Sequence, residues 1–428
     1  MKWTKYHFSV PVGDKTVLFN YRTNGVVALE PALADKVNSC TDVNQIEHWH
    51  PSLFAELEKL AFLVDDAVDE ASLCMQDLNK RRYDKSNLKI TINPTLDCNL
   101  RCWYCYEKHR RGSLMDQATL QNIVDFVTLQ CQSAELQQVS LSFFGGEPLM
   151  AFHRCVQPLT EQIADVCKAY DKMLHLSFTT NAVLLTKKKV DWLIQTNLPV
   201  FMQIPFDGGK DCHGKTKHDA LGKSCFDATF DNLRYAVESG IEVVARFNYT
   251  AKNIDSFRSL VESLKTIEGR ISVAFQKVWQ ERLTDDLQEK VKELIQLAEE
   301  YKLCPSHNGS APACFNHSIC YADNPNNVVV NFDGNVFQCT AREFVEENAI
   351  GRLRKGGVIE YNERYKQRNN NYFLAGCRYC LLLPVCEVCS QKRYETADGQ
   401  CPLGMTDEIA HQRLLEKAKE ILSANFEE

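Results

Sequence analysis

The sequence predicts an α/β protein: a partial (β/α)6 barrel, preceded by a small α+β unit and followed by a cysteine-rich unit. Two observations carry this prediction. Apolar strand-like runs alternate with helical patterns through the middle of the chain, which gives a parallel sheet with helical crossovers. The 19 cysteines are concentrated near residue 100 and in the last quarter of the chain. The expected boundaries are residues 1–87, 88–303 and 304–428.

The first unit is predicted from turn residues between short alternating runs. Val12-Gly13-Asp14 and Asn24-Gly25 are typical turns, and helical apolar spacing follows them. The expected strands are 5–10, 16–21 and 26–29, and the expected helices are 33–37, 53–63 and 71–82.

The barrel is predicted from longer apolar runs separated by helical patterns. Its expected strands are 88–92, 139–144, 174–179, 200–206, 241–247 and 271–275. The helices read most clearly are 120–129, 156–167, 226–239 and 285–301, with a closing helix at 408–424. In TIM-like barrels the active site lies at the carboxyl ends of the strands, which is where the motifs described below occur.

Composition restricts the class of protein. A formal charge of −7 gives no basic excess for nucleic acid or a membrane surface. No apolar run approaches the roughly 18 residues that span a bilayer, and the N-terminus shows no signal-peptide pattern. We therefore expect a cytoplasmic protein with neither nucleic acid nor membrane as a partner. In that reducing setting, clustered cysteines are expected to be metal ligands.

Three cysteines form the first cluster of motifs. Cys98, Cys102 and Cys105 follow the first barrel strand as C-x3-C-x2-C. Three thiolates can bind three irons of a [4Fe–4S] cluster and leave the fourth iron open, and that iron could hold the amino and carboxylate groups of S-adenosylmethionine. The alternatives are a zinc knuckle or three unlinked thiols, but a structural zinc site needs four ligands.

This motif, with an aromatic residue before its last cysteine, resembles that of the radical SAM superfamily. The resemblance implies that the three cysteines ligate the cluster and act in catalysis, and that Tyr104 lies against the adenine of S-adenosylmethionine.

The ends of later strands extend the resemblance. Phe144 is followed by Gly145, Gly146, Glu147 and Pro148, which match the superfamily's GGEP turn; two glycines allow close backbone approach to a ligand, and Glu147 suits an ammonium group. A purely structural turn is the alternative.

Further strand ends add possible contacts to the same cofactor. Asn181 lies in a Thr-Asn turn, and Asp207-Gly208 ends the fourth strand, with Pro205 where relatives often have a serine. Arg246 could meet the carboxylate of S-adenosylmethionine, or could instead satisfy helix ends or surface carboxylates.

Eight cysteines near the C-terminus form the second cluster of motifs. They make two complete sets of four ligands, which suits electron-transfer or structural clusters; two zinc sites are the alternative. The seven from Cys320 onward resemble the SPASM pattern, with two residues instead of three between Cys386 and Cys389. That resemblance implies two auxiliary [4Fe–4S] clusters, three clusters in all. The implied ligand sets are Cys314, Cys320, Cys339 and Cys389, then Cys377, Cys380, Cys386 and Cys401.

The loop after Asp207 holds further candidates. Cys212 could donate a hydrogen atom or bind substrate, and we expect His213 to be structural. Lys210, Lys215 and Lys217 belong either to a solvated loop or to a site that attracts an acidic peptide. The remaining cysteines are expected to be mostly small buried apolar side chains: Cys40, Cys74, Cys131, Cys155, Cys167, Cys225 and Cys304.

The resemblance implies radical chemistry on a peptide. SPASM relatives mostly modify peptides, and residues 1–87 resemble the winged-helix element with which maturases of ribosomally made peptides bind a leader. We therefore expect a precursor-peptide substrate, a thioether or carbon–carbon crosslink as product, and a flavodoxin- or ferredoxin-like electron donor. A capping domain without peptide contact is the alternative for the first unit.

Other functions stay open from sequence alone. Sulfatase-maturing relatives usually have an Asp after the cysteine that corresponds to Cys339, whereas this chain has Thr340. A radical enzyme acting on a sugar or small metabolite would not need a peptide-binding unit. An iron–sulfur carrier or binding scaffold would not need the first motif and its glycine turn.

Overall fold

The computed structural model describes residues 1–219, 221–303, 314–370, 372–396 and 399–426. These residues form two compact units. The barrel unit contains the described residues of 85–303 and 326–365, and the mixed unit contains 1–84, 314–325 and the described residues of 366–426. Residues from both ends of the chain thus belong to one compact unit, whereas the sequence suggested three consecutive domains.

The barrel unit contains all six predicted parallel strands, paired in chain order. Each strand pairs in register with the next, as Ile90 does with Leu141 and Leu141 with Leu176. The strands are β6 (Asn87–Asn93), β7 (Gln138–Phe143), β8 (Met173–Thr179), β9 (Val200–Phe206), β10 (Glu242–Tyr249) and β11 (Ile271–Lys277).

Helices connect these strands, as the alternating pattern predicts. Their apolar faces bury against the sheet; Leu120, Ile123 and Val127, for example, share one core with Ile90 and Ile92. The helices are α5 (Gln117–Cys131), α6 (Gln157–Ala169), α7 (Lys187–Gln195), α8 (Lys210–Thr216), α9 (Phe226–Glu238), α10 (Phe257–Leu264) and α11 (Asp285–Glu300).

Four further strands extend the sheet beyond β6. They are β12 (Asn327–Asn331), β13 (Asn335–Phe337), β14 (Gly351–Arg354) and β15 (Val358–Tyr361). β12 pairs parallel to β6, and the others continue antiparallel. The predicted Asp-Gly hairpin is confirmed at Gly334, whose φ of +80° suits glycine. Part of the expected C-terminal unit therefore belongs to the barrel sheet.

The mixed unit holds a three-stranded antiparallel sheet and a separate strand pair. The sheet has the order β2 (His7–Val12), β3 (Lys15–Asn20), β4 (Gly25–Leu29), and β1 (Lys2–Trp3) pairs with β5 (Leu63–Val64). The predicted hairpin and third strand are confirmed. The helix expected over 53–63 is too long: it ends at Lys59, because Ala61 adopts a φ of +59° that leaves the helical region.

Helices complete the mixed unit. The longest of those described, with 20 residues, packs on the three-stranded sheet, and Phe8 lies 5.1 Å from His411 between ring centroids. The other α-helices in the described part of the chain are α1 (Pro31–Asn38), α2 (Gln45–Trp49), α3 (Pro51–Lys59), α4 (Glu70–Arg82), α12 (Glu363–Asn370), α13 (Ser390–Glu395) and α14 (Asp407–Phe426).

Membrane-spanning segments are not found among the described helices. Even α14, at 20 residues, is too polar for a bilayer interior.

Candidate functional site

A central cavity of about 170 Å³ lies at the carboxyl ends of the parallel strands. The loops that follow β6, β7 and β8 reach it together with side chains of β9 and β10. It gathers the three predicted cysteines and five other predicted residues. The lining includes Cys98, Cys102, Tyr104, Cys105, Gly145, Gly146, Asn181, Gln203, Pro205, Lys217, Arg246 and Asn248.

The cysteine loop is shaped by its own hydrogen bonds. Asp97 accepts from the Cys98 N–H at 2.8 Å and from the Gly112 N–H at 3.2 Å, and the Cys105 N–H donates to the Cys102 carbonyl. Burial raises the pKa of Cys98 to about 12 and also raises that of Cys105. Metal binding must therefore displace protons from these thiols.

Three thiols on one loop are a donor set that can bind three irons of a [4Fe–4S] cluster and leave the fourth open. All three line the central cavity. Among the described residues, no group of three Cys, His, Asp or Glu side chains is found that could hold a single metal ion.

The glycine turn packs closely against the cysteine loop. Gly145 and Gly146 line the central cavity, and their predicted approach to a ligand stays a prediction. A Cβ on Gly146 would lie 2.1 Å from the Asp97 carbonyl oxygen, and one on Gly145 would lie 2.6 Å from that of Thr95. The Gly146 N–H donates to Thr95 O at 3.1 Å. The glycines thus fix the loop that carries the cysteines.

Glu147 is wholly buried and does not line the cavity. It accepts hydrogen bonds from Thr180 Oγ1 at 2.7 Å, the Asn181 N–H at 2.8 Å and the Leu149 N–H at 3.0 Å. It therefore ties the turn after β7 to the turn after β8, while burial raises its pKa. Pro148 is likewise buried outside the cavity lining. Direct contact of either residue with a cofactor stays a prediction.

Asn181 supports the cysteine loop from the neighbouring strand. Its Nδ2 donates to Asn99 Oδ1 at 2.8 Å and lies 3.8 Å from Cys98 Sγ. An amide beside a cluster cysteine orients it and solvates its charge.

A polar network that the sequence did not indicate forms one wall of the cavity. Tyr104 donates its hydroxyl to Asp207 Oδ1 at 2.6 Å and accepts from Asn248 Nδ2 at 3.0 Å. Lys217 is 4% exposed, with Nζ 3.6 Å from Asp207 Oδ2 and 3.5 Å from Cys102 Sγ. Burial opposes a charge on Lys217, but the surrounding Tyr104, Asp207 and Cys102 raise its pKa. A buried cation therefore stands beside a predicted cluster ligand.

No spacing rule distinguishes Lys217 from its neighbours in the loop. Lys210 is exposed and pairs with Asp227 at 2.8 Å, and Lys215 is exposed as well. The predicted string of three lysines is thus divided into three different environments.

His213 and Cys212, although adjacent in sequence, also lie in different environments. His213 is fully buried and accepts from the Asp207 N–H through Nδ1, and burial together with Lys217 lowers its pKa to about 3. It is neutral and supports the turn, in keeping with the structural role predicted. Cys212 lines a neighbouring cavity and not the central one.

Arg246 supplies the cationic contact that a bound carboxylate requires. It lines the central cavity, and its Nε is buried without a hydrogen-bond partner among the described residues. Burial lowers its pKa, but an arginine guanidinium stays charged in proteins. A ligand carboxylate could accept the hydrogen bond that the buried Nε lacks. These residues therefore fit S-adenosylmethionine as well as the cluster.

In the mixed unit, a cavity of about 330 Å³ is lined by the four cysteines of one predicted auxiliary set: Cys377, Cys380, Cys386 and Cys401. Arg393 reaches toward two of them, with Nη2 3.4 Å from Cys386 Sγ. The structure brings these four cysteines to one cavity, and their ligation of a cluster stays a prediction.

The other predicted auxiliary set is divided between the units. Cys320 and Cys389 share a hydrogen bond in the mixed unit, and that bond lowers the pKa of Cys389 to about 6. Cys314 is exposed in the same unit. Cys339 belongs to the barrel unit, where its Sγ accepts from the Ala341 N–H at 3.2 Å. This set of four stays a prediction.

Most other cysteines are buried, as expected: Cys74, Cys131, Cys155, Cys167 and Cys225. Cys40 is only half-buried, and Cys304 lies outside the described residues.

The fold and the cavity define a β/α-barrel enzyme with a cysteine loop at the mouth of the barrel. Residues 92–267, from β6 to just past α10, match the model of the Radical SAM superfamily. Residues 92–267 of the chain therefore form a radical SAM domain.

Two solved structures share the fold over most of the chain. Native anSMEcpe with bound AdoMet and Kp18Cys peptide is 18% identical with a TM-score of 0.59, covering 79% of this chain and 99% of that one. Streptococcus suis SuiB bound to S-adenosylmethionine is 15% identical with a TM-score of 0.51, covering 95% and 99%. SuiB is also known bound to precursor peptide SuiA.

Sequence relatives include both uncharacterized and named proteins. An uncharacterized protein of Methanocaldococcus jannaschii is 25% identical over 59% of this chain and 85% of its own length. The radical SAM cyclopropyl synthase TigE of Paramaledivibacter caminithermalis is 29% identical over 28% of this chain. The cysteine-type anaerobic sulfatase-maturating enzyme of Clostridium novyi is 27% identical over 40%. The matches span 27% and 46% of the two named enzymes.

Proposed function

We propose that this radical SAM enzyme modifies a precursor peptide, forming a thioether or carbon–carbon crosslink. The central cavity carries the radical part of this proposal, because it joins three thiols to an arginine whose buried Nε lacks a partner. When bound there, a [4Fe–4S] cluster with one open iron supplies the electron that cleaves S-adenosylmethionine to methionine and a 5′-deoxyadenosyl radical.

The residues around the cavity each have a task in binding. Cys98, Cys102 and Cys105 supply thiolates for the cluster, and Lys217 stabilises the charge on Cys102 from 3.5 Å. Arg246 pairs with the carboxylate of S-adenosylmethionine. Tyr104 offers its ring to the adenine, since its hydroxyl is already held by Asp207 and Asn248.

A peptide substrate is supported by the sheet of the mixed unit. β2 is covered by α14, whereas β4 has no strand on its outer side among the described residues. An exposed edge strand can accept an extended peptide as an additional strand. We assign β4 as the site for the leader of a precursor peptide. The structures of anSMEcpe and SuiB with their peptides support the same substrate class.

Two auxiliary clusters complete the proposal. Four cysteines around one cavity leave no iron open, which suits electron transfer instead of substrate binding. We assign Cys377, Cys380, Cys386 and Cys401 to one cluster, and Cys314, Cys320, Cys339 and Cys389 to the other. A flavodoxin- or ferredoxin-like protein is the expected reductant.

The first experiment is an anaerobic assay of reconstituted enzyme with S-adenosylmethionine, a chemical reductant and each small peptide encoded nearby. Formation of 5′-deoxyadenosine and loss of two hydrogens from a peptide, read by mass spectrometry, would support the proposal. The Cys98→Ala variant is the matched control and should form neither product. Formation of 5′-deoxyadenosine with every peptide unchanged would count against the peptide substrate.

A pair of proline variants tests the edge strand. Successive N–H groups of a strand point to opposite sides, so Val26→Pro and Val27→Pro each remove one donor, one facing β3 and the other facing outward. The outward variant should keep its melting temperature and lose binding of a fluorescent leader peptide. If both variants bind the peptide as wild type does, β4 is not the leader site.

Sulfatase maturation is the second candidate, favoured by the similarity to anSMEcpe. It would yield formylglycine from a Cys or Ser in a sulfatase peptide. Thr340 stands where an acidic residue follows the corresponding cysteine in such enzymes, and it carries no carboxylate. The same mass-spectrometric assay with a sulfatase peptide distinguishes the two products.

A further inference from the structure

A second cavity of about 540 Å³ adjoins the central cavity. Tyr104 and Val278 line both, so the two cavities share a wall. Trp103, Cys212, Lys215 and Lys252 line the second one, which we call the lysine groove. Anything bound in the lysine groove lies next to the cysteine loop.

The charge of the lysine groove is uncompensated. Lys215 and Lys252 are both exposed, and among the described residues no carboxylate lies within 4.0 Å of either ammonium. On the same helix as Lys215, α8, Lys210 by contrast pairs with Asp227. The residues that line the groove include no Asp or Glu. Two unpaired cations around one concave surface attract a negatively charged ligand.

Two exposed tryptophans stand at the same mouth of the barrel. Trp103, next to the cluster ligand Cys102, is 62% exposed, and Trp279, next to Val278, is 76% exposed. Large rings left in water beside a cavity are typical of binding surfaces, because they give much contact area at little entropic cost. The barrel mouth thus offers apolar faces beside the two cations.

We propose that the lysine groove binds an acidic segment of the substrate peptide, next to the residue that reacts. An Asp or Glu carboxylate of the peptide pairs with Lys215 and Lys252, and neighbouring peptide atoms pack on Trp103. This assignment rests on the proposed peptide substrate and adds a sequence preference to it. Peptides without an acidic residue near the reacting position are poorer substrates.

Binding of defined peptides tests the charge preference directly. The probes are a fluorescein-labelled peptide of alternating Glu and Gly and its isostere of alternating Gln and Gly, measured by anisotropy on reconstituted enzyme. Wild type should bind the Glu peptide at least ten-fold more tightly, with an advantage that shrinks at high salt. Equal affinity for the two peptides would overturn the proposal.

Variants locate the preference in the groove. Lys215→Gln combined with Lys252→Gln should abolish the advantage of the Glu peptide, whereas Lys210→Gln, an exposed residue on the same helix as Lys215, should retain it. Because all three lysines are exposed or surface-paired, matching melting temperatures are expected. An unchanged advantage in the double variant would contradict the assignment.

Turnover separates this inference from the proposed function. If the enzyme modifies a peptide that is encoded nearby and contains an acidic residue, the KM for that peptide should be at least five-fold higher in the double variant, with kcat little changed. Unchanged kcat/KM would overturn the groove assignment and leave the peptide function standing. If no peptide is modified but the Glu peptide still binds through the two lysines, the groove assignment holds and the peptide function fails.

Discussion

Lys217 shows how far a residue's environment can depart from its sequence context. It lies in a polar loop, yet it is 4% exposed and contacts Asp207 and Cys102. A buried cation is tolerated only where negative partners offset the loss of hydration. The cysteine loop and the turn after β9 supply those partners.

Removing this cation should destabilise the barrel unit. Lys217→Met leaves Asp207 buried without its counter-charge, at a cost of about 3–5 kcal/mol. Thermal unfolding should show a melting temperature several degrees lower, and Lys217→Met with Asp207→Asn should lose less than the sum of the single variants. Lys215→Met is the exposed control. An unchanged melting temperature for Lys217→Met would contradict the assigned pair.

Glu107 should make stability depend on pH. Burial, with a smaller contribution from Glu343, raises its pKa from 4.5 to about 8. Between those values the folded state keeps a proton that the unfolded state releases, so stability falls as pH rises, by at most about 1.4 kcal/mol per pH unit. Glu107→Gln should therefore match wild type at pH 5 and melt higher at pH 8.

The control for that experiment is Glu161→Gln, an exposed carboxylate on α6. It should melt with wild type at both pH values. If Glu107→Gln gives the same difference from wild type at pH 5 and pH 8, the raised pKa of Glu107 is wrong.

Residues that act within one loop could be predicted from the sequence. Cys98, Cys102 and Cys105 share a loop, so their spacing alone indicated a common site. Lys217 and Asn248 could not be found in this way, because they meet Tyr104 only after β9 and β10 pair in the sheet. The contact of the glycine turn with the cysteine loop could not be predicted either, since spacing does not reveal what a backbone touches.

At the scale of elements, a buried ion pair joins three segments of the mixed unit. Arg368 on α12 lies 3.6 Å from Asp323 and donates to Ser390 Oγ at 2.7 Å. Asp323 also accepts from the Ser390 N–H at 3.0 Å. Asp323 follows Cys320 by three residues and Ser390 follows Cys389 directly. The pair thus holds two predicted cluster ligands together.

Breaking that pair should affect both folding and metal content. Arg368→Met leaves Asp323 buried and unpaired, and we expect a loss of about 3–5 kcal/mol together with less iron bound after reconstitution. Calorimetry and iron analysis measure the two effects. Gln367→Met, on the exposed side of the same helix, should change neither; equal behaviour of the two variants would refute the role of Arg368.

Elements with long apolar runs could be predicted, and short or polar ones could not. The six barrel strands were found because apolar residues recur along each of them on a face that is buried in the core. α7 was missed because its first turn is three lysines, and β14 and β15 because four-residue strands carry little pattern. The end of α3 depended on the backbone of Ala61, which no propensity indicates.

At the scale of the whole molecule, the iron bound per chain measures how many clusters the protein holds. Three [4Fe–4S] clusters predict about 12 irons per chain after reconstitution. Replacing Cys98, Cys102 and Cys105 by Ala should remove about four and abolish cleavage of S-adenosylmethionine, whereas replacing Cys377, Cys380, Cys386 and Cys401 should remove about four and spare uncoupled cleavage. A wild-type value near four would limit the protein to one cluster.

The pairing of β6 with β12 sets a condition on biosynthesis. Asn93 of β6 pairs with Asn331 of β12, so this edge of β6 has no partner strand until 238 further residues have been synthesised. At about 5–20 residues per second this takes roughly 10–50 s, during which an apolar strand edge on the nascent chain is open to wrong partners. The cysteine loop directly follows this open edge, so any chaperone that covers the edge binds beside the predicted cluster ligands.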